Sequence, residues 1–256
     1  TSLQTPKSKT PLTVVKEVSV SSLKLPLVSH FDFQVHQQKL INRMVQRCSD
    51  QHGIVLIHSM GSGKTLSSLG IYNNMAKSGA GFKKLFVLTP PGLDTAFIDD
   101  YKLINNGKEW VDKNIYTFQG QEKKDNEWVL SDDTKNEIEE MSKKKFTFSK
   151  RKIIFRNYDD ITKGIYKPYG SERYTLEESS LILKNEMYDS FIICDEAHNL
   201  VEIIKKYVEQ EKTNIYTNLI DGMSDAFKVI LLSGTPIQND WTDVTLLCNL
   251  ASGYKD

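Results

Sequence analysis

The chain has 256 residues, of which 39% are hydrophobic and 26% charged, and its 33 basic side chains are balanced by 33 acidic ones. This composition is that of an ordinary soluble globular protein with one large domain or two small ones. A net charge of zero excludes a strongly basic coat, so any contact with nucleic-acid phosphates must come from a local patch.

No apolar run approaches the roughly 20 residues that cross a bilayer, and the opening "TSLQTPKSKTPLTVV" is not a signal peptide. The expectation is an intracellular protein without a membrane partner. Cys48, Cys194 and Cys248 are far apart and form no C-x-x-C pair, which argues against structural zinc or disulfides and for a reducing compartment. The start at Thr1, without a methionine, suggests a trimmed or processed chain.

Residues 1–24 mix Ser, Thr, Lys and Pro with isolated valines, and are expected to form an extended or disordered arm ahead of one domain over 25–256. Between Phe31 and Arg47 the apolar positions Leu40, Ile41, Met44 and Val45 recur at helical spacing, which predicts a first helix. The apolar run Ile54-Val55-Leu56-Ile57 predicts a buried strand, and Leu66, Leu69, Ile71 and Met75 predict a helix over Thr65 to Lys77. Further strands are expected in "KKLFVLTP", in "NIYTF" and at Ile153 to Arg156, Phe191 to Cys194 and Val229 to Leu232, with a short helix over Thr95 to Tyr101. The charged stretch near 119–150 reads as a solvated insertion or surface helix. Strand alternating with helix predicts an α/β fold with a mostly parallel sheet and helices on both faces, whose ligands sit at the carboxyl ends of the strands.

The chemistry-bearing motifs fall at those ends. "HSMGSGKT" matches the phosphate-binding pattern G-x-x-x-x-G-K-[ST] except that His58 stands where the first glycine is expected. Gly61 and Gly63 let the backbone approach phosphates, and the following helix N-terminus favours an anion. Lys64 is expected to reach the β/γ-phosphates and Thr65 to hold Mg²⁺ through its hydroxyl. The plainer alternative is a chance glycine-lysine turn. After the Phe191 to Cys194 strand comes Asp195-Glu196-Ala197-His198, which supplies a second hard oxygen ligand for Mg²⁺ in Asp195 and a general base in Glu196. The alternative there is a pair of acids capping the next helix. Asn157 and Tyr158 end the Ile153 to Arg156 strand region, and Ser233-Gly234-Thr235 end the Val229 to Leu232 strand.

Gly-Ser-Gly-Lys-Thr, Asp-Glu-Ala-His and Ser-Gly-Thr, in that order and each after a buried strand, resemble the first RecA-like lobe of superfamily two DEAH-box helicases and translocases. "LLSGTPIQND" is most similar to the Swi/Snf-type branch, and "FQVHQQKLINRM" resembles that branch's opening segment, in which Gln37 matches a glutamine that reads the adenine edge. "IHSMGSGKT" is also similar to helicase-like transcription factors and nucleoside triphosphatases of large DNA viruses. Members of the superfamily commonly lack the first glycine, which accounts for His58.

The resemblance implies a P-loop lobe that binds ATP and Mg²⁺, with Met60, Gly61, Ser62, Gly63, Lys64, Thr65 and Leu66 around the phosphates. It implies that His198, Ser233, Gly234 and Thr235 couple the nucleotide to a nucleic-acid track, and that Thr89, Pro90, Asn157 and Tyr158 lie on that track, although Asn157 replaces the family's threonine. Duplex DNA is favoured over RNA as partner, and transcription machinery is a further one. Arg43, Arg47, Arg151, Arg156 and Arg173 all precede the Ser-Gly-Thr motif. The family's arginine fingers lie in a second RecA-like lobe, which is expected to be absent from this chain. The rival reading is a nucleotide-dependent binding or scaffold module of a transcription or restriction complex that separates no strands; a P-loop metabolic kinase would need a lid with arginines.

Overall fold

Runs of apolar residues too short for helices become the centre of the molecule because both faces of each strand are covered. The computed structural model describes residues 31–253 except 47, 49, 59–60, 79, 83, 105–114, 117–120, 125–126, 131–151, 169–170 and 237–240. Among the described residues, α1 (Val35–Gln46), β1 (Gly53–Ile57), α2 (Lys64–Lys77), β2 (Lys84–Thr89) and α3 (Asp94–Ile104) come first. Then follow β3 (Ile115–Tyr116), β4 (Gln121–Lys124), β5 (Glu127–Leu130), β6 (Lys152–Asn157) and α4 (Tyr158–Thr162). The remainder is α5 (Leu176–Met187), β7 (Ser190–Cys194), α6 (His198–Glu209), α7 (Thr213–Ser224), β8 (Lys228–Ser233) and α8 (Thr242–Ser252).

One sheet in the order β1-β8-β7-β2-β6-β3 has every described neighbour pair parallel. Strand side chains alternate between two cores. Leu85, Val87, Ile153, Phe155, Phe191, Ile193, Ile230 and Leu232 pack with Ile41, Leu69, Tyr72 and Phe97 on the face of α1 to α3. Phe86, Leu88, Ile154, Ile192, Cys194, Val229 and Leu231 pack with Leu183, Leu200, Leu219 and Leu247 on the face of α4 to α8. The predicted α/β layering is therefore what forms, and the carboxyl ends of β1, β8, β7, β2 and β6 lie side by side along one edge.

Within the charged stretch, β4 and β5 pair antiparallel in a sheet of their own, with Lys124 opposite Glu127, which corrects the surface-helix alternative over these residues. Trp128 and Val129 favour a strand over a helix. The expected arm at 1–24 and residues 131–150 of that stretch lie outside the described residues.

Candidate functional site

Leaving β1, the backbone turns back into α2 through two glycines in the left-handed region, Gly61 (φ 74°) and Gly63 (φ 76°). Only glycine takes these angles without a Cβ penalty. Around Gly61 there is open space, whereas a Cβ on Gly63 would collide with Gln37 Nε2. Gly63 begins α2 with no side-chain cap, so the orphan amides of the first helical turn are left to a ligand or to water. The Ser62 hydroxyl is buried and has no hydrogen-bond partner among the described residues. Lys64, 8% exposed, folds back so that Nζ donates to His58 O at 3.1 Å. A glycine-lined turn at an uncapped helix start, with a lysine satisfied by its own loop, fits a phosphate group. Met60 lies outside the described residues.

α1 closes this loop from the side. Buried Gln37 accepts from Gln34 N at 3.0 Å and donates to Gly63 O at 3.2 Å. His36 Nε2 is 3.5 Å from Ser62 O, and the His36 and His58 rings are 6.5 Å apart. Sequence reasoning did not single out His36; its place beside Gln37 on the first turn of α1 was the available signal.

The acidic turn stands across β8 from the loop. Asp195 N donates to Leu88 O and Ala197 N to Leu232 O, both at 2.8 Å, which suspends the turn between β2 and β8. Glu196 between them is left-handed (φ 48°). Burial, and then the Glu196 carboxylate, raise the pKa of the Asp195 carboxyl; the Glu196 N–H, Lys64 and His198 oppose them. Asp100 of α3, another residue the sequence reading missed, is raised by burial first, then by Asp99 and Asp195.

His198 joins this turn to β8. Its Nδ1 is 3.2 Å from Ser233 Oγ, 3.4 Å from Thr235 Oγ1 and 3.3 Å from Glu196 Oε2. Thr235 N donates to Ser233 Oγ at 3.2 Å, and His58 N donates to Ser233 O at 3.3 Å. Gln37, Gly63, Lys64, His58, Ser233, Thr235, His198, Glu196 and Asp195 are therefore linked through side-chain and backbone contacts, with Gly234 at the bend between Ser233 and Thr235; none of these contacts involves the Thr65 hydroxyl.

The residues expected on a nucleic-acid track are placed differently. Thr89 is 1% exposed and Tyr158 6% exposed, and the Tyr158 hydroxyl is directed at the Asp195 and Glu196 carbonyls. The Asn157 side chain accepts from Asp160 N and caps α4, a use that its short amide favours. Pro90 is half-buried just beyond β2.

The family described as type III restriction enzyme, res subunit, matches residues 30–238. A protein of Invertebrate iridescent virus 3 named as helicase 087L is 26% identical over 231 residues, covering 86% of this chain and 20% of that protein. A protein of Heliothis virescens ascovirus 3e named as an ATP-dependent RNA helicase is 28% identical over 220 residues, covering 84% of this chain and 18% of its own length. The chain thus spans about a fifth of the curated relatives it matches. The solved Sulfolobus solfataricus SWI2/SNF2 ATPase core in complex with dsDNA shares the fold, with a TM-score of 0.53 at 17% identity over 88% of this chain and 36% of that one. The chain belongs to the type III restriction enzyme res-subunit family and forms the N-terminal RecA-like lobe of a superfamily two helicase-like protein.

Proposed function

We propose that this lobe binds ATP with Mg²⁺ for a nucleic-acid-dependent ATPase, a helicase or translocase that acts on DNA. The observation that carries the reading is the chain of contacts that joins the Gly61 to Thr65 loop to the Asp195-Glu196 turn: Lys64 Nζ donates to His58 O, His58 N donates to Ser233 O, and His198 Nδ1 lies against both Ser233 Oγ and Glu196 Oε2. Gly61, Ser62, Gly63 and the first amides of α2 cradle the phosphates, and Lys64 exchanges the His58 carbonyl for the β/γ-phosphates. Thr65 and Asp195 hold the cation, which when bound neutralises charge on the phosphates. Glu196 takes the proton of the attacking water, and Gln37 meets the base edge. His198, Ser233, Gly234 and Thr235 pass the state of the nucleotide to the nucleic-acid side, of which Pro90 and Asn157 are the half-buried members.

Duplex DNA is favoured by the Swi/Snf-like run that continues from Ser233, with a second RecA-like lobe and transcription machinery as partners. The relative named as an RNA helicase and the restriction-enzyme description of the family keep two alternatives specific: an RNA substrate, and a nucleotide-dependent module that separates no strands. Stimulation of the full-length ATPase by DNA, by RNA or by neither distinguishes them.

Titration with ATP tests the site itself. Each charge-assisted contact contributes about 1.5–3 kcal/mol, so Lys64→Ala is expected to weaken binding about tenfold or more. Asp195→Ala is expected to abolish the gain in affinity on adding Mg²⁺. Wild-type curves from both variants would refute the assignment.

A further inference from the structure

Tyr158 starts α4 beneath the turn that carries both candidate acids, and its ring lies in the same apolar core as Cys194, Ala197 and Leu200. Its Oη is 2.7 Å from Asp195 O and 3.3 Å from Glu196 O. We propose that Tyr158 is the positioning residue of the acidic turn, its single hydroxyl proton shared between two successive carbonyls so that Glu196 stays in its left-handed conformation. What the turn does with a nucleotide rests on the function proposed above; the clamp itself does not.

A left-handed glutamate persists only where its surroundings over-determine it. Asn199 supplies two of the holds, with N and Nδ2 each donating to Glu196 O at 3.0 Å. Leu88 and Leu232 supply two more through the backbone. These come from β2, β8 and the helix that the turn itself begins, and among the described residues Tyr158 adds the hold from the β6 and α4 side. A backbone carbonyl has no proton to give, so in both contacts the phenol is the donor. α4 is fixed in turn by the Asn157–Asp160 capping box.

Tyr207 supplies a matched control: it is another buried tyrosine of the same core, donating to a carbonyl away from the acidic turn. The experiment compares Tyr158→Phe with Tyr207→Phe by thermal melting, amide hydrogen exchange over Asp195 to His198 without nucleotide, and the Mg²⁺ dependence of ATP affinity. Both variants should melt lower. Tyr158→Phe alone should speed exchange at the Asp195 and Ala197 amides by about tenfold, as the loss of one buried hydrogen bond allows, and should reduce the Mg²⁺-dependent gain in ATP affinity. Equal exchange at those amides in the two variants would overturn the clamp. Faster exchange in Tyr158→Phe, in a protein whose wild type binds no ATP, would uphold the clamp and sink the nucleotide reading.

Discussion

Gln37 uses both ends of its amide within the chain, yet an amide has two N–H donors and two acceptor lone pairs. With Gln34 N on Oε1 and Gly63 O on Nε2, one donor and one lone pair remain. That remainder matches adenine, which offers an acceptor beside a donor; guanine presents the reverse. Gln37→Ala should therefore lower the preference for ATP over GTP by about 2- to 10-fold, the worth of one neutral hydrogen bond of about 0.5–1.5 kcal/mol. Because the same side chain rests on Gly63, affinity for both nucleotides should also fall. Competition titrations with the two triphosphates measure both effects, and an unchanged ratio would reduce Gln37 to a brace for the loop.

That brace depends on how closely two helices approach. Gly70 of α2 faces Phe33 and Ile41, and a Cβ there would collide with the Ile41 Cδ1 and Phe33 Cζ atoms. A larger residue must push α1 outward, and overpacking of this kind typically costs about 1–3 kcal/mol. Gly70→Val is expected to lower the melting temperature by several degrees and, because α1 carries Gln37, to weaken ATP binding as well. A lower melting temperature with an unaltered ATP titration would show that α1 does not set the loop.

Elements of this kind divide sharply in how far the sequence betrays them. β2, β7 and β8 are nearly or wholly buried along their length, so their apolar runs announce strands, and each ends at a motif. α5 was legible but overlooked: Thr175 and Glu178 form a capping box, visible as a threonine with glutamate three residues on. Strand order is another matter, since β1 meets β8 through contacts between opposite ends of the chain. The task of Tyr158 was hidden for the same reason, because its partners Asp195 and Glu196 are distant in sequence and local pattern carries no trace of them.

At the scale of the whole lobe, the question is what charge it brings to a phosphoryl group in transfer. Arg156 is buried and bound two-pronged to Glu186, at 2.8 Å through Nε and 2.6 Å through a terminal nitrogen. Arg173 donates to Gly164 O and lies 3.7 Å over the Tyr166 ring. Arg43 is exposed on α1, while Arg47 and Arg151 lie outside the described residues. Pulling Arg156 into a nucleotide cleft would strand the partly buried Glu186 carboxylate, at a cost below that of breaking a fully buried pair, about 3–5 kcal/mol. An arginine finger is worth about 10³ to 10⁵ in turnover, so this chain by itself is expected to bind Mg²⁺-ATP weakly and to release phosphate at a rate barely above background. Duplex DNA should not raise that rate if, as proposed above, a second RecA-like lobe supplies the charge. Steady-state phosphate release from the purified chain, with and without duplex DNA, measures it. Robust turnover that Glu196→Gln abolishes would mean that one of the chain's own arginines reaches the cleft, and the arginine substitution that removes such turnover would identify it.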